Sequence, residues 1–324
     1  IIFFASLMSV LYHIGIMQKI VQAMAWVMFK VLRISGSESL SVAANVFVGQ
    51  TEAPLVVRPY IARMTQSELL TMMIGGMATI AGGVLAAYIT MLGGGDEALR
   101  IYYAKHLLSA SVMAAPATIV LAKILKPEME ESMTRGSVRV HVEKTATNVI
   151  EAAANGAADG VRLALNVGGM LIAFIALIAL INYPLGWLGS ITGMEAALGE
   201  PLSLSLIMGY ILAPLAWVIG VPMQDVVTVG GLIGEKIVTN EFVAYSSLNQ
   251  IQDSLTPKAL LISTYALCGF ANFSSIAIQL GGIGGLAPER RPDIARFGLK
   301  AVMGGALATM MTATIAGVLT GFVG

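Results

Sequence analysis

Two apolar stretches in this chain, each long enough to enter a bilayer, are broken near the middle by polar residues and helix breakers. Residues 36–60 hold Gly49-Gln50-Thr51-Glu52-Ala53-Pro54. Residues 203–245 hold Pro214, Gly220, Pro222, Gly230-Gly231 and Gly234, then Thr239-Asn240-Glu241-Phe242. Irregular backbone at membrane depth survives only where it is buried in protein or lines a cavity. A carboxylate there costs about 3 kcal/mol even on the gentler scales. The two segments therefore read as re-entrant hairpins around a polar interior site. Composition supports a membrane setting: 56% of the 324 residues are hydrophobic, 12% are charged and the mean hydropathy is +0.80. A water-facing surface needs about 25% charged residues, so this surface faces lipid.

Unbroken apolar runs of spanning length lie at about 1–28, 67–93, 104–125, 162–189, 258–284 and 297–322. With the hairpins they occur in the same order twice. A first repeat covers 1–125, an interfacial connector 126–161 and a second repeat 162–324. A shift of 189 residues lays Glu52 on Glu241. A shift of 191 lays Thr65 on Thr256, Leu69 on Leu260, Leu70 on Leu261, Leu108 on Leu299 and Thr118 on Thr309. Three full crossings per repeat invert the second relative to the first, a design common in secondary transporters with a midplane site. The expected fold is an all-α polytopic membrane protein of two inverted-topology repeats, each with a re-entrant hairpin and discontinuous helices.

Of the 19 Lys and Arg, only Arg100, Lys105, Lys236 and Lys258 fall on the side opposite the rest. By the positive-inside rule the crowded side is cytoplasmic. The 36–60 hairpin then opens to the cytoplasm, the 203–245 hairpin opens outward, and both chain ends lie outside. In the connector, Val142, Thr145, Val149 and Ala152 share one side of an expected helix. Zero net charge argues against a nucleic-acid partner. A single cysteine, Cys268, excludes a disulfide framework, and His13, His106 and His141 are too dispersed to form a cluster. No H-E-x-x-H or Ser–His arrangement supports an intramembrane enzyme built on Glu52 and Glu241. A passive facilitator with half-helices remains a second reading, which accumulation against a gradient separates from a pump.

Gln50, Thr51 and Glu52 supply amide, hydroxyl and carboxylate, a set that suits a neutral ligand rich in donors and acceptors. No Lys or Arg flanks these centres in sequence, which argues against an anionic ligand. Gly269-Phe270-Ala271 followed by Asn272, Ser274 and Ser275 points to a helix broken at midspan, as does Gly75-Gly76 through Gly82-Gly83 in the first repeat. The Thr79 hydroxyl, the Asn45 amide oxygen and freed carbonyls form an oxygen-only donor set of the kind a hard cation such as Na+ takes.

The segments Gly49–Leu55, Asn240–Tyr245 and Gly269–Ser275 together resemble the concentrative nucleoside transporters, above all the bacterial members, over essentially the whole chain. That resemblance implies a Na+-coupled nucleoside importer in the bacterial inner membrane. It implies a homotrimer in which a mobile part of each protomer carries substrate by an elevator-like movement, and two further spans with an interfacial helix before Ile1. On this chain it places the nucleobase of a uridine-like substrate on Gln50, Thr51 and Glu52, with Val84 packed against it. Glu241, Asn272 and Ser275 would take the ribose hydroxyls, with Phe270 nearby. Na+ would sit on the side chains of Asn45 and Thr79 and the carbonyls of Val48 and Ile80. Some relatives couple to protons, so proton symport is the alternative within the family.

Overall fold

In the computed structural model, which describes residues 2–134, 146–199 and 201–320, sixteen α-helices run in two similar successions. The first is α1 (Ile2–His13), α2 (Ile16–Leu32), α3 (Gly36–Asn45), the single turns α4 (Ala53–Val56) and α5 (Arg58–Ile61), α6 (Gln66–Ala78), α7 (Gly82–Gly93) and α8 (Glu97–Leu125). The second is α9 (Val149–Thr192), α10 (Met194–Leu198), α11 (Leu204–Val218), α12 (Val226–Val238), α13 (Glu241–Ile251), α14 (Pro257–Ala266), α15 (Phe273–Leu286) and α16 (Arg291–Thr320). There is no strand among the described residues. Each succession opens with two or three helices, followed by a broken hairpin (α3–α5, α12–α13), a helix interrupted at midlength (α6–α7, α14–α15) and a long closing helix (α8, α16).

Three expected segments differ in detail. The run at 1–28 is two helices meeting at 79°, because Gly15 adopts φ 85° and reverses the chain before α2. Glycine holds that left-handed conformation without the Cβ penalty. Buried Met17, Val21, Ala25 and Met28 fall at helical spacing on α2, while Trp26 is exposed with the Lys30 ammonium 5.0 Å from its ring centroid. That amphipathic face marks a helix lying on the surface and not a continuing span. Hydropathy alone merges the two because both halves are apolar. The connector is shorter than 126–161, since α9 is helical from Val149, with the Asn148 side chain accepting from the Glu151 amide. Val142 and Thr145 lie outside the described residues. The segment at 203–245 divides: α11 is a separate apolar helix, turned by Gly220 (φ 97°) and Pro222, and the hairpin proper is α12–α13.

Among the described residues, four helical stretches are long and apolar enough to cross a membrane: Gln66–Gly93, which bridges the short break between α6 and α7, Glu97–Leu125, Ile175–Thr192 and Pro288–Thr320. The run at 258–284 is not among them, since its break over 267–272 is twice as long as the one over 79–81. α1 lies along α9, where Gly156 and Gly160, one turn apart, receive Ala5, Ser6 and Ser9. Small residues at that spacing allow the backbone approach on which helix packing in lipid depends. The outer part of α9, with Leu180, Tyr183 and Trp187, is bare.

The first hairpin is anchored by buried charge. The Glu38 and Glu68 side chains each close a capping box, on Ser35 and Thr65, at the N-termini of α3 and α6. Both are buried. Glu38 accepts from Lys123 and from Thr71 (2.9 Å), and Glu68 from Ser37 and Thr134 (each 3.0 Å). Each carboxylate thus answers orphan N–H groups at a positive helix end. Arg290, expected among the solvent-facing cytoplasmic charges, is instead 9% exposed and donates to the carbonyls of Ile61, Ala62 and Met64 at the end of the hairpin.

Candidate functional site

Both interrupted helices break where they cross. The amide of Phe270 donates to the carbonyl of Thr79 (3.4 Å), joining the 79–81 break to the 267–272 break. The first hairpin is held to the same point by the Gly82 amide, which donates to the Phe47 carbonyl (3.1 Å). Gly75 and Gly76 explain the close fit. A Cβ on Gly75 would lie 3.3 Å from Asn45 Nδ2, and one on Gly76 would lie 2.8 Å from Gln50 Cβ. The two glycines let α6 receive the end of α3 and the hairpin tip side by side.

This crossing walls a cavity of about 200 Å³. Gln50, Thr51, Glu52, Val84, Glu241, Phe270, Asn272 and Ser275, the full set expected to contact substrate, line it together. They come from both hairpins and both breaks. Glu241 is 6% exposed and opens α13; its Oε1 accepts from Tyr88 Oη (2.9 Å) and its Oε2 from Asn272 Nδ2 (3.2 Å). Asn272 caps α15, its Oδ1 accepting from the Ser275 amide (2.9 Å) and Ser274 Oγ (2.7 Å). Gln50 Nε2 donates to Ser275 Oγ (3.0 Å), bridging the two repeats. Glu52 differs: its side chain is exposed at the cavity edge, so only one of the two hairpin carboxylates is buried. The N-termini of α7, α13 and α15 all end at this cavity, presenting partial positive charge to ligand oxygens and to Glu241.

Sequence reading missed four participants. Tyr88 is fully buried, stacks on Tyr245 (centroids 4.5 Å apart) and Phe242 (5.4 Å), and orients Glu241. It follows Val84 by four residues on one face of α7, which was the available signal. Gln279 follows Ser275 by the same spacing and donates to Gln50 Oε1 (3.2 Å) and the Met73 carbonyl (2.9 Å). Asn240 lines the cavity and caps α13, its Oδ1 accepting from the Val243 amide (3.0 Å). Lys236, expected as an external charge, is 1% exposed within the protein, close enough to Glu241 to act on it electrostatically. The expectation that no cation stands near these centres is corrected accordingly. Tyr88→Phe keeps the ring packing and removes the donor to Glu241. Ligand affinity is expected to fall about tenfold or more, the worth of one hydrogen bond to a charged group, and the thermal midpoint to fall with it. Titration of purified protein by calorimetry checks both.

Two of the expected cation donors meet at Gly75, on which Asn45 packs and whose carbonyl accepts from Thr79 Oγ1 (2.9 Å). Asn45 is fully buried; its Nδ2 donates to the Ser41 carbonyl (3.0 Å), while its Oδ1 has no partner among the described residues. Thr79 and Ile80 are buried at the α6–α7 break, and Val48 follows Asn45 by three residues on the hairpin. A buried amide oxygen without a donor is costly, and a hard cation satisfies it. Na+ therefore fits the residues present. No group of three or more His, Cys, Asp and Glu suited to a transition metal occurs among the described residues.

Residues 106–317 match the family model described as Na+ dependent nucleoside transporter C-terminus, and residues 1–95 match a model described as Gate: Nucleoside recognition. The chain belongs to the Na+-dependent nucleoside transporter family. This is a family of transporters, not of enzymes. An uncharacterized transporter of Bacillus subtilis is 48% identical over 98% of the chain and 75% of its own length. The mouse sodium/nucleoside cotransporter 1 is 43% identical over 98% of the chain, which spans half of that longer protein. Among solved structures, CNTnw in an inward-facing substrate-bound state superposes with a TM-score of 0.88 at 46% identity, covering 98% of this chain and 74% of that one. An intermediate state of a CNTnw variant gives 0.90 at 46% identity over 100% and 75%. The nucleoside transporter fold, with its inverted repeats and re-entrant hairpins, is thus the architecture of this chain.

Proposed function

We propose that this transporter imports nucleosides by cotransport with Na+, with the hairpins and interrupted helices moving as an elevator-like body. The observation that carries the reading is the meeting of Gln50 and Thr51 with Glu241, Asn272 and Ser275 in one cavity, beside the unpartnered Asn45 oxygen. The planar edge of a uridine-like base offers complementary donors and acceptors to Gln50, Thr51 and Glu52. Ribose hydroxyls donate well to a carboxylate such as Glu241. Na+ would be held by Asn45 and Thr79 side chains with the Val48 and Ile80 carbonyls. It neutralises a strained oxygen cluster and orders the first hairpin, so that base binding and ion binding favour each other.

A neutral nucleoside gains nothing from the membrane potential alone. One Na+ entering down 100 mV contributes about 2.3 kcal/mol, enough for about fiftyfold accumulation at equilibrium. The distribution of Lys and Arg supports a cytoplasmic opening for the first hairpin and placement in a bacterial inner membrane. The bare face of α9 fits lipid or further copies in a homotrimer. The test is uridine uptake into proteoliposomes under equal inward gradients of Na+, K+ or protons. Accumulation with Na+ only is expected. Accumulation with protons only replaces the ion, and equilibration without accumulation makes the protein a facilitator. Asn45→Leu removes a donor to the ion and none to the nucleoside. It is expected to raise half-saturating Na+ about tenfold or more, the size of one lost charge-assisted contact.

A further inference from the structure

The shift of 191 residues that pairs Thr118 with Thr309 also pairs Asn45 with Lys236 and Gly75 with Ala266. The first hairpin is two residues longer between Asn45 and Glu52 than the second between Lys236 and Glu241, which returns those two carboxylates to a shift of 189. These six residues form two equivalent corners. In the first, Asn45 and Thr118 both pack on Gly75: a Cβ there would lie 3.3 Å from Asn45 Nδ2 and 3.6 Å from Thr118 Cγ2. Two buried oxygens of this corner, Asn45 Oδ1 and Thr118 Oγ1, have no hydrogen-bond partner among the described residues. In the second corner the Lys236 ammonium donates to the Ala266 carbonyl (2.7 Å) and to Thr309 Oγ1 (2.9 Å). Thr309 Oγ1 in turn donates to the Ala306 carbonyl (2.9 Å), so every oxygen named there has a partner. Lys236 is 1% exposed and makes no ion pair among the described residues. Its charge is answered by neutral oxygens of the kind a bound alkali cation takes.

We propose that the Lys236 ammonium is a tethered cation, fixed in the second repeat at the position where the first repeat takes an exchangeable one. The proposal rests on the reading of the Asn45 corner as the Na+ site. One repeat is then permanently in its cation-bound form, with the Lys236 stem holding α12 against α14 and α16 behind Glu241. Only the other repeat responds to the ion gradient. The inverted repeat supplies two corners, and the lysine leaves one of them for coupling. Thr118, whose oxygen mirrors the Thr309 ligand of the ammonium, joins the donors to the exchangeable ion.

The test measures nucleoside affinity of the purified protein by calorimetry across Na+ concentrations, with choline replacing Na+, and charge moved per nucleoside in proteoliposomes. The wild type is expected to move one charge per nucleoside. Lys236→Asn rebuilds the first corner in the second repeat. Its Na+ dependence is expected to steepen, with the Hill coefficient rising from about 1 to about 2, because two ions must now bind before substrate. The reciprocal Asn45→Lys plants the tethered cation in the first corner. Its affinity without Na+ is expected within about threefold of the wild type in saturating Na+, since the ordering ion is already in place. A folded Lys236→Asn with the wild-type slope, a folded Asn45→Lys that still requires Na+, or a wild type that moves two charges overturns the proposal. A wild type indifferent to Na+ sinks the Asn45 reading instead. Lys236→Asn must then acquire a Na+ dependence the wild type lacks, or the tethered cation falls as well.

Discussion

Glu241→Ala and Glu241→Gln are both expected to lower nucleoside uptake by about 100-fold or more, because a site built to pair buried polar groups discriminates that strongly when a partner is removed. The carboxylate is 6% exposed and stands at the start of α13 between two donors, Tyr88 Oη at 2.9 Å and Asn272 Nδ2 at 3.2 Å. In the alanine variant those donors lose their acceptor. In the glutamine variant the amide brings two N–H groups against Tyr88 and Asn272, and one acceptor oxygen cannot serve both together with a sugar hydroxyl. Uptake of radiolabelled uridine into proteoliposomes, normalised to reconstituted protein, reads the effect. Wild-type uptake by a correctly inserted glutamine variant would remove Glu241 from the ribose and with it the orientation proposed for the substrate.

Gly269→Ala acts on the frame and not on the ligand, and is expected to lower stability. A Cβ at Gly269 would stand 2.8 Å from the Met77 carbonyl oxygen, 2.8 Å from Thr309 Cγ2 and 3.0 Å from the Ala78 carbonyl carbon. Two of these are backbone atoms of the other interrupted helix, which cannot swing aside as a long side chain can. Overpacking of a rigid contact costs about 1–3 kcal/mol, and separating the two breaks also strains the bond from the Phe270 amide to Thr79. The expected result is a fall of several degrees in the thermal midpoint of the detergent-purified protein, with loss of nucleoside affinity. Gly285→Ala, where a Cβ would meet open space, is the matched control and is expected to change neither. Equal midpoints for the two variants would show that the crossing is looser than the contact distances require.

Much of this site could be read before any coordinates. A carboxylate inside an apolar stretch is so costly that it needs a built surrounding, and two such carboxylates at matching places in two repeats pointed to one shared cavity. Gly75-Gly76 and Gly269 likewise marked the breaks, because glycine admits the close backbone approach that any side chain blocks. Tyr88 and Gln279 were hidden for the opposite reason. Each lies in an apolar helix where an aromatic ring or an amide is ordinary packing, and nothing in their own neighbourhood names the partner 153 or 229 residues away. The bend at Gly15 was hidden too, since hydropathy averages over a surface helix as readily as over a span.

What the sequence determined by itself is the solvent, the fold class and the polar residues that meet in the cavity. Apolar surface, broken apolar stretches and a repeated order of segments leave few other solutions for a chain in lipid. What only the tertiary structure decided is the fate of individual charges. Lys236, Arg290, Glu38 and Glu68 all look like solvent-facing residues along the chain, and all are buried. Burial of a charge is settled by the carbonyls, hydroxyls and helix ends that reach it from other segments. Those partners are assembled only when the two repeats close on each other.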